Sequence, residues 1–284
     1  MLPLIIKILL PIFFFVAGAI FASFGNMLMY RFANDKPIIK DSRSYCPKCN
    51  HQIAWYDNIP LISFLVLRGK CRYCHEPISR RYFFVELYGG ISFVVLYFLY
   101  VCLYPTKTFE LSTNYLDLIN AITYAFTLLF LLISAYVDKK KMEVPLSMMV
   151  TMLCFAVINF VFSWVINGFE LTRLLGFVVP AGILLLVYFV CVLIIKTEPM
   201  GLADIIIFSI LGLELGIINL LSIVLFSSLI CSIIELIKIK KTGERKPIPF
   251  VPYIFIGTLI TILFTPLIIE GLTTLMGGLW YATI

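Results

Sequence analysis

The sequence predicts an all-α polytopic membrane protein of about eight transmembrane helices, with a small zinc-binding cytoplasmic loop domain between the first two. Three observations carry this. The composition is 61% hydrophobic with a mean hydropathy of +1.02. Apolar runs long enough to cross a bilayer recur along the chain, and a single sizeable polar stretch holds two Cys-x-x-Cys pairs. A soluble chain of 284 residues could not hide so much apolar surface, because its exterior must stay wet.

The first apolar run covers about 4–24. Lys7, the run 8–16 and Ala17-Gly18-Ala19 imitate the three regions of a signal peptide. The run continues past Ala19, however, and reaches the ~20 residues that a spanning helix needs, so a retained span is expected. Residues 25–82 are polar, and apolar runs follow at about 83–104, 117–137, 144–166 and 172–195. The next run, 205–237, would be about 50 Å long as one helix, against a hydrocarbon core of about 30 Å. It either crosses once with heavy tilt or turns near Gly216–Asn219 and crosses twice. The last run is about 249–269.

Charge decides between these. With two crossings and both termini outside, 19 of the 22 lysines and arginines fall on one side. This is the asymmetry of a cytoplasmic face. A single crossing would export the basic loop at 238–246, so eight spans are expected. The same assignment, made on lysine and arginine alone, puts Asp138 and Asp204 together at the cytoplasmic face. Asp138 closes one run and Asp204 opens another, after the polar break Glu198-Pro-Met-Gly-Leu-Ala-Asp204.

Carboxylates at membrane depth are costly and are functional candidates by default. Two on different helices can share a proton, hold a water, deprotonate it for attack on a peptide carbonyl and return the proton to the leaving amine. Each also has a plain structural reading: Asp138 as a solvated helix-end acid beside Lys139–Lys141, Asp204 as a helix N-cap. Glu86, Glu214 and Glu235 are weaker candidates.

Cys46-Pro-Lys-Cys49 and Cys71-Arg-Tyr-Cys74 have 21 residues between them, close to the spacing of a tetrahedral Cys₄ zinc site. Redox Cys-x-x-Cys chemistry is the alternative. His51 and His75 lie beside the pairs, although four thiolates already fill the shell. Cys102, Cys154, Cys191 and Cys231 read as small buried hydrophobes.

Together these residues resemble the type IV prepilin peptidase family, membrane aspartic proteases of the Gly-x-Gly-Asp kind. The resemblance runs through Ala22-Ser-Phe-Gly-Asn-Met27 with Tyr30-Arg31, and through Cys46 to Phe64. It continues in Arg68-Gly-Lys-Cys-Arg-Tyr-Cys74, in Ile78-Ser79 with Arg81-Tyr82 and Val85-Glu-Leu87, and in Ile248-Pro-Phe-Val-Pro-Tyr253. It implies an endopeptidase that cleaves leader peptides of prepilin-like proteins after a glycine on the cytoplasmic side of the bacterial inner membrane, with Asp138 and Asp204 catalytic. Zinc would sit on Cys46, Cys49, Cys71 and Cys74. Many members also N-methylate the new N-terminus from S-adenosylmethionine, whose site no motif locates. The implied partners are prepilins or pseudopilins and the lipid bilayer; nucleic acid has no part. The expected organisation is 1–24 as first transmembrane helix, 25–82 as the zinc domain and 83–284 as the peptidase domain.

Two departures stand beside the second acid. Ala203 replaces the second glycine of the motif, where backbone approach is tight and φ is expected to favour glycine. Ile206 replaces a lysine that would place a cation near the pair. These favour a second reading, a catalytically impaired paralogue serving as a pilus or secretion assembly protein. A third reading, a transporter using the acids as a proton relay, fits the composition, but the cysteine loop and the lack of an internal repeat oppose it.

Overall fold

The computed structural model describes residues 4–35, 44–103, 111–194, 196, 200–243 and 247–275, with side chains described for all of these except 4–8, 101–103, 111–115, 242 and 266–275. Glu198 and Pro199 of the polar break lie outside the described residues. So do Lys36, Lys40, Arg43, Lys107, Arg245 and Lys246 of the charge pattern, and the side chains of Lys7 and Cys102.

The described chain is helical, in the order α1 Leu4–Ala33, α2 Ile62–Val66, α3 Arg80–Tyr97, α4 Leu111–Lys141, α5 Leu146–Asn167, α6 Leu171–Ile194, α7 Leu202–Leu215, α8 Ile217–Thr242 and α9 Val251–Leu275. Six of these are long and apolar enough to cross a membrane; α7 has 14 residues, and the apolar Val251–Thr265 part of α9 is also short. The expected boundary at 24/25 falls inside α1. Polar side chains there find partners: Asn26 Nδ2 donates to the Tyr82 carbonyl at 3.2 Å, so the helix continues to Ala33.

The long run 205–237 turns, as the charge pattern required. Gly216 has φ 82°, which ends α7 and starts α8, a conformation that costs glycine little. Helix α7 is the centre of the bundle: from Asp204 to Leu215 every residue except Ile206 is buried, against core residues of α4, α5, α8 and α9. The outer helix α6 is equally apolar but buries only Gly176, as expected of a helix that faces lipid. The same logic corrects the expectation for three cysteines. Cys154 is exposed and Cys191 and Cys231 are half-buried, because a lipid-facing surface tolerates a thiol as readily as a core does.

Small residues let the helices meet. A Cβ on Gly89 of α3 would lie 2.4 Å from Ala22 Cβ and 2.6 Å from the Gly18 oxygen of α1, and one on Gly212 of α7 would lie 1.9 Å from the Gly176 oxygen of α6. This is the close backbone packing that dispersion forces favour in lipid. Toward the Leu215 end of α7, Glu214 accepts from Thr127 at 2.8 Å, and Arg173 joins Glu170, Asn159 and the Glu214 carbonyl. Ten residues, about 15 Å along the helix, separate Glu214 from Asp204, so Glu214 belongs to a structural network at the far end.

Candidate active site

Asp138 lies in the last turn of α4. Met142 closes that turn in the left-handed region at φ 58°, its N–H bonded to the Asp138 carbonyl at 2.8 Å. Asp204 is the third residue of α7, with Gly201 as N-cap. Both side chains are nearly buried, at 7% and 8% exposure. They come from helices far apart in sequence, and they lie near enough for the Asp138 charge to act on Asp204.

A third element holds the first acid. The Val251 N–H donates to Asp138 Oδ2 at 3.1 Å. Helix α9 begins at Val251; Pro252 has no N–H, and Tyr253 and Ile254 donate to the Phe250 carbonyl. Val251 is therefore the donor that the first turn of α9 leaves free, and it aims the positive end of that helix at the carboxylate. Phe250 packs on Phe208 of α7, one turn beyond Asp204, and Tyr253 Oη donates to Glu235 of α8 at 2.6 Å. Asp204 gains its own donor from the Gly201 backbone. Two helix N-termini thus converge on the acid pair.

The two departures from the motif both stand in the first turns of α7. Ala203 is helical and carries no positive φ, so the expected glycine-favouring conformation is absent and alanine suits the position better. Ile206 lies two residues from Asp204, about 200° around the helix, and is 42% exposed.

Glu86 and Glu235 are accounted for structurally. Glu86 Oε2 accepts from the Leu61 N–H at 2.8 Å and bonds Ser23, which ties the cysteine loop to α1 and α3. Glu235 pairs with Lys238 at 2.5 Å besides Tyr253.

The cysteine loop is two copies of one turn. Cys46 N–H bonds the His51 carbonyl and Cys71 N–H bonds the Glu76 carbonyl, both at 2.9 Å; Asn50 and His75 close the turns at φ 55° and 59°. All four sulfurs lie within 4.8 Å of one another, and no histidine is in the cluster. Cys46 Sγ and Cys74 Sγ are 3.9 Å apart, near the ~3.8 Å edge of a tetrahedron with metal–sulfur bonds of about 2.3 Å. The backbone N–H groups of Cys74 and Tyr73 bring the Cys71 thiol down to about 7. Cys74 is pushed up to about 12: the Glu76 N–H favours its thiolate, but burial and the neighbouring sulfurs of Cys49, Cys71 and Cys46 outweigh it. Four thiolates in one cluster need a cation, and the residues fit one. His51 instead lies against Tyr73, with ring centroids 3.5 Å apart and the rings tilted by 34°. Arg72 grips Asp57 through bonds of 2.7 and 2.6 Å, which holds that carboxyl below its usual range.

A cavity of about 490 Å³ opens between this loop and the ends of α1, α3 and α4, lined by Tyr30, Arg81, Tyr82, Tyr136 and Lys140 among others. Sequence reasoning did not single it out, nor the Val251 amide, because neither carries a residue signature.

The N-terminal domain of bacterial A24 peptidases matches residues 16–100, and the type IV leader peptidase family matches residues 125–236. Among curated proteins, a prepilin leader peptidase/N-methyltransferase of Myxococcus xanthus is 33% identical over 84% of this chain and 66% of its own length. Relatives of the same description from Vibrio cholerae and Aeromonas salmonicida are 31% and 32% identical, over 78% and 82% of this chain and 84% and 78% of theirs. No solved structure matches the chain.

Proposed function

The chain belongs to the type IV leader peptidase family, and from that premise we propose that it is a membrane aspartic endopeptidase that cleaves prepilin-like leader peptides after a glycine and N-methylates the exposed residue. The observation that carries this is that Asp138 and Asp204, from α4 and α7, are both nearly buried and near enough for their charges to interact. One carboxylate takes a proton from a water held between them, the hydroxyl adds to the glycine carbonyl, and the protonated partner gives its proton to the leaving amine as the peptide bond breaks. The pair titrates as a unit, so neither acid is given a fixed role.

The alternative of an assembly paralogue is not favoured: both acids are present, Ala203 takes an ordinary helical conformation, and Ile206 is turned about 200° around α7 from Asp204. In this reading α7 and α9 also cross, giving eight spans, and the active site faces the cytoplasm of the bacterial inner membrane. Prepilins or pseudopilins are the substrates.

Zinc is the ion we assign to Cys46, Cys49, Cys71 and Cys74. For the methyl donor, S-adenosylmethionine, we propose the cavity beside Tyr136. Arg81 crosses the Tyr136 and Tyr82 rings at 4.6 and 5.2 Å and bonds the Tyr136 hydroxyl, yet its buried Nε has no partner among the described residues. An orphaned guanidinium N–H suits a carboxylate, and tyrosine faces suit a sulfonium cation or an adenine ring. The donor, when bound, supplies the methyl group. Tyr136 and Lys140 flank Asp138 at two residues on either side, so the cavity and the acids lie back to back across the last turn of α4.

Mass spectrometry of a prepilin co-expressed with the enzyme tests both halves, since it reads the cut site and the added 14 Da. Arg81→Leu is expected to leave the cut intact and to weaken binding of S-adenosylhomocysteine about tenfold or more, the worth of a charged hydrogen bond; unchanged binding would move the donor elsewhere. The Val251 amide offers a finer check. Val251→Pro removes the donor at a helix position where proline fits, and should slow cleavage about tenfold while Val251→Ala does not. Equal rates in the two variants would make that hydrogen bond incidental.

A further inference from the structure

We propose that α2, in the cysteine loop, is a membrane-interface element that inserts its apolar face at the headgroup–acyl boundary. The stretch Ile59-Pro60-Leu61-Ile62-Ser63-Phe64-Leu65-Val66-Leu67 is the most apolar run of the loop. Phe64 points back, its ring 5.4 Å from that of Phe83 on α3. The other side is bare: Ile62, Leu65 and Val66 are 56%, 63% and 68% exposed, and Trp55 in the preceding turn is 81% exposed. A water-facing loop that could turn serines or lysines outward instead presents this cluster, and contiguous exposed apolar surface marks a contact.

The register of the neighbouring helices says what covers it. Leu61, immediately before α2, is fixed by Glu86, whose carboxylate also bonds Ser23. Glu86 lies six residues inside α3 and Ser23 ten residues before the end of α1, about 9 and 15 Å along those helices. Both helices qualify as spans over these residues. The start of α2 is therefore held level with the first turns of α3 and the last turns of α1, not above their ends. Phe24 of α1 and Phe84 of α3, one and two residues from these anchors in sequence, are themselves exposed at 53% and 61%, so the apolar rim of the bundle continues at about the same height.

Charge agrees. Arg68 and Lys70, directly after α2, are exposed, and cations behind an apolar face suit anionic lipid headgroups, with an aromatic residue at the boundary. The strained φ of 62° at Leu61 and 53° at Arg68 brackets the helix, which makes a short dip that enters and leaves within a few residues.

The test places a reporter on the face. In a background with Trp55→Phe, Trp164→Phe and Trp280→Phe, Val66→Trp is reconstituted into phosphatidylglycerol–phosphatidylethanolamine vesicles; retained metal content confirms a folded loop. Insertion predicts blue-shifted emission that loses about half its intensity or more when the lipids are brominated near the top of the acyl chain, with little quenching by acrylamide. Emission quenched by acrylamide and indifferent to brominated lipid overturns the proposal. So does protection that arises only after prepilin is added, which would make the face a substrate-docking surface. If the Val66→Trp loop loses its metal, Leu65→Trp repeats the measurement on the same face with the same two outcomes.

Discussion

Asp138→Asn and Asp204→Asn are each expected to reduce leader-peptide cleavage by purified enzyme in proteoliposomes about a thousand-fold, with the double variant no worse than either single one. Asparagine keeps the shape of the side chain and an oxygen to accept the Val251 N–H, so the link from α4 to α9 survives. At 204 it remains a good residue for the first turn of a helix. What is lost is the ability to take up and return a proton. A structural or capping role would behave in the opposite way, with cleavage kept and stability changed by about 1 kcal/mol. Retention of a tenth of the rate by either variant, at normal expression, would remove that acid from the chemistry.

The expectation rests on a pairing that the sequence could locate but not assemble. Hydropathy and the side preference of lysine and arginine brought Asp138 and Asp204 to one face, because both are whole-chain properties that survive without any knowledge of packing. Which groups surround the acids depended on contacts between distant segments. Val251 lies 113 residues from Asp138, and its contribution is a backbone N–H common to every residue but proline. Its one trace in the sequence is Pro252, which removes the competing donor of the same turn.

Helix phase explains the other differences. Ile206 looked electrostatically relevant because it is near Asp204 in sequence, but two residues on a helix put it on the opposite face. Ala203 looked strained because the motif elsewhere carries glycine, whereas here the helix has already begun. Glu86 reads in the sequence as a weaker candidate acid, whereas the Leu61 N–H, 25 residues earlier, gives it a structural partner. In each case the residue type was legible and its direction was not. The turn at Gly216 was legible because charge and length both required it. The end of the first helix was not, because Asn26 and Arg31 look like loop residues until their partners are seen.

Removing the metal is the other change expected to have a large effect, and it should act on one segment alone. Of residues 44–79, Cys46 alone is buried, so the loop has almost no apolar core with which to offset its ordering entropy of about 1–2 kcal/mol per residue. A structural zinc ion on four thiolates contributes apparent free energies of about 10–16 kcal/mol at neutral pH, enough to order such a segment. Purified protein should carry about one zinc per chain, and Cys71→Ser or Cys46→Ser should carry almost none. In the metal-free form, amide exchange protection should vanish for the Cys46, Ile53, Cys71 and Ile78 N–H groups that close the two turns. The α4, α5 and α7 core should keep its protection, because its packing does not involve the loop. The cavity proposed above for the methyl donor shares this wall, so binding of S-adenosylhomocysteine should fall with the metal, while Asp138 and Asp204 stay in place. A folded, fully protected loop without metal would show that the four cysteines are held together by something else.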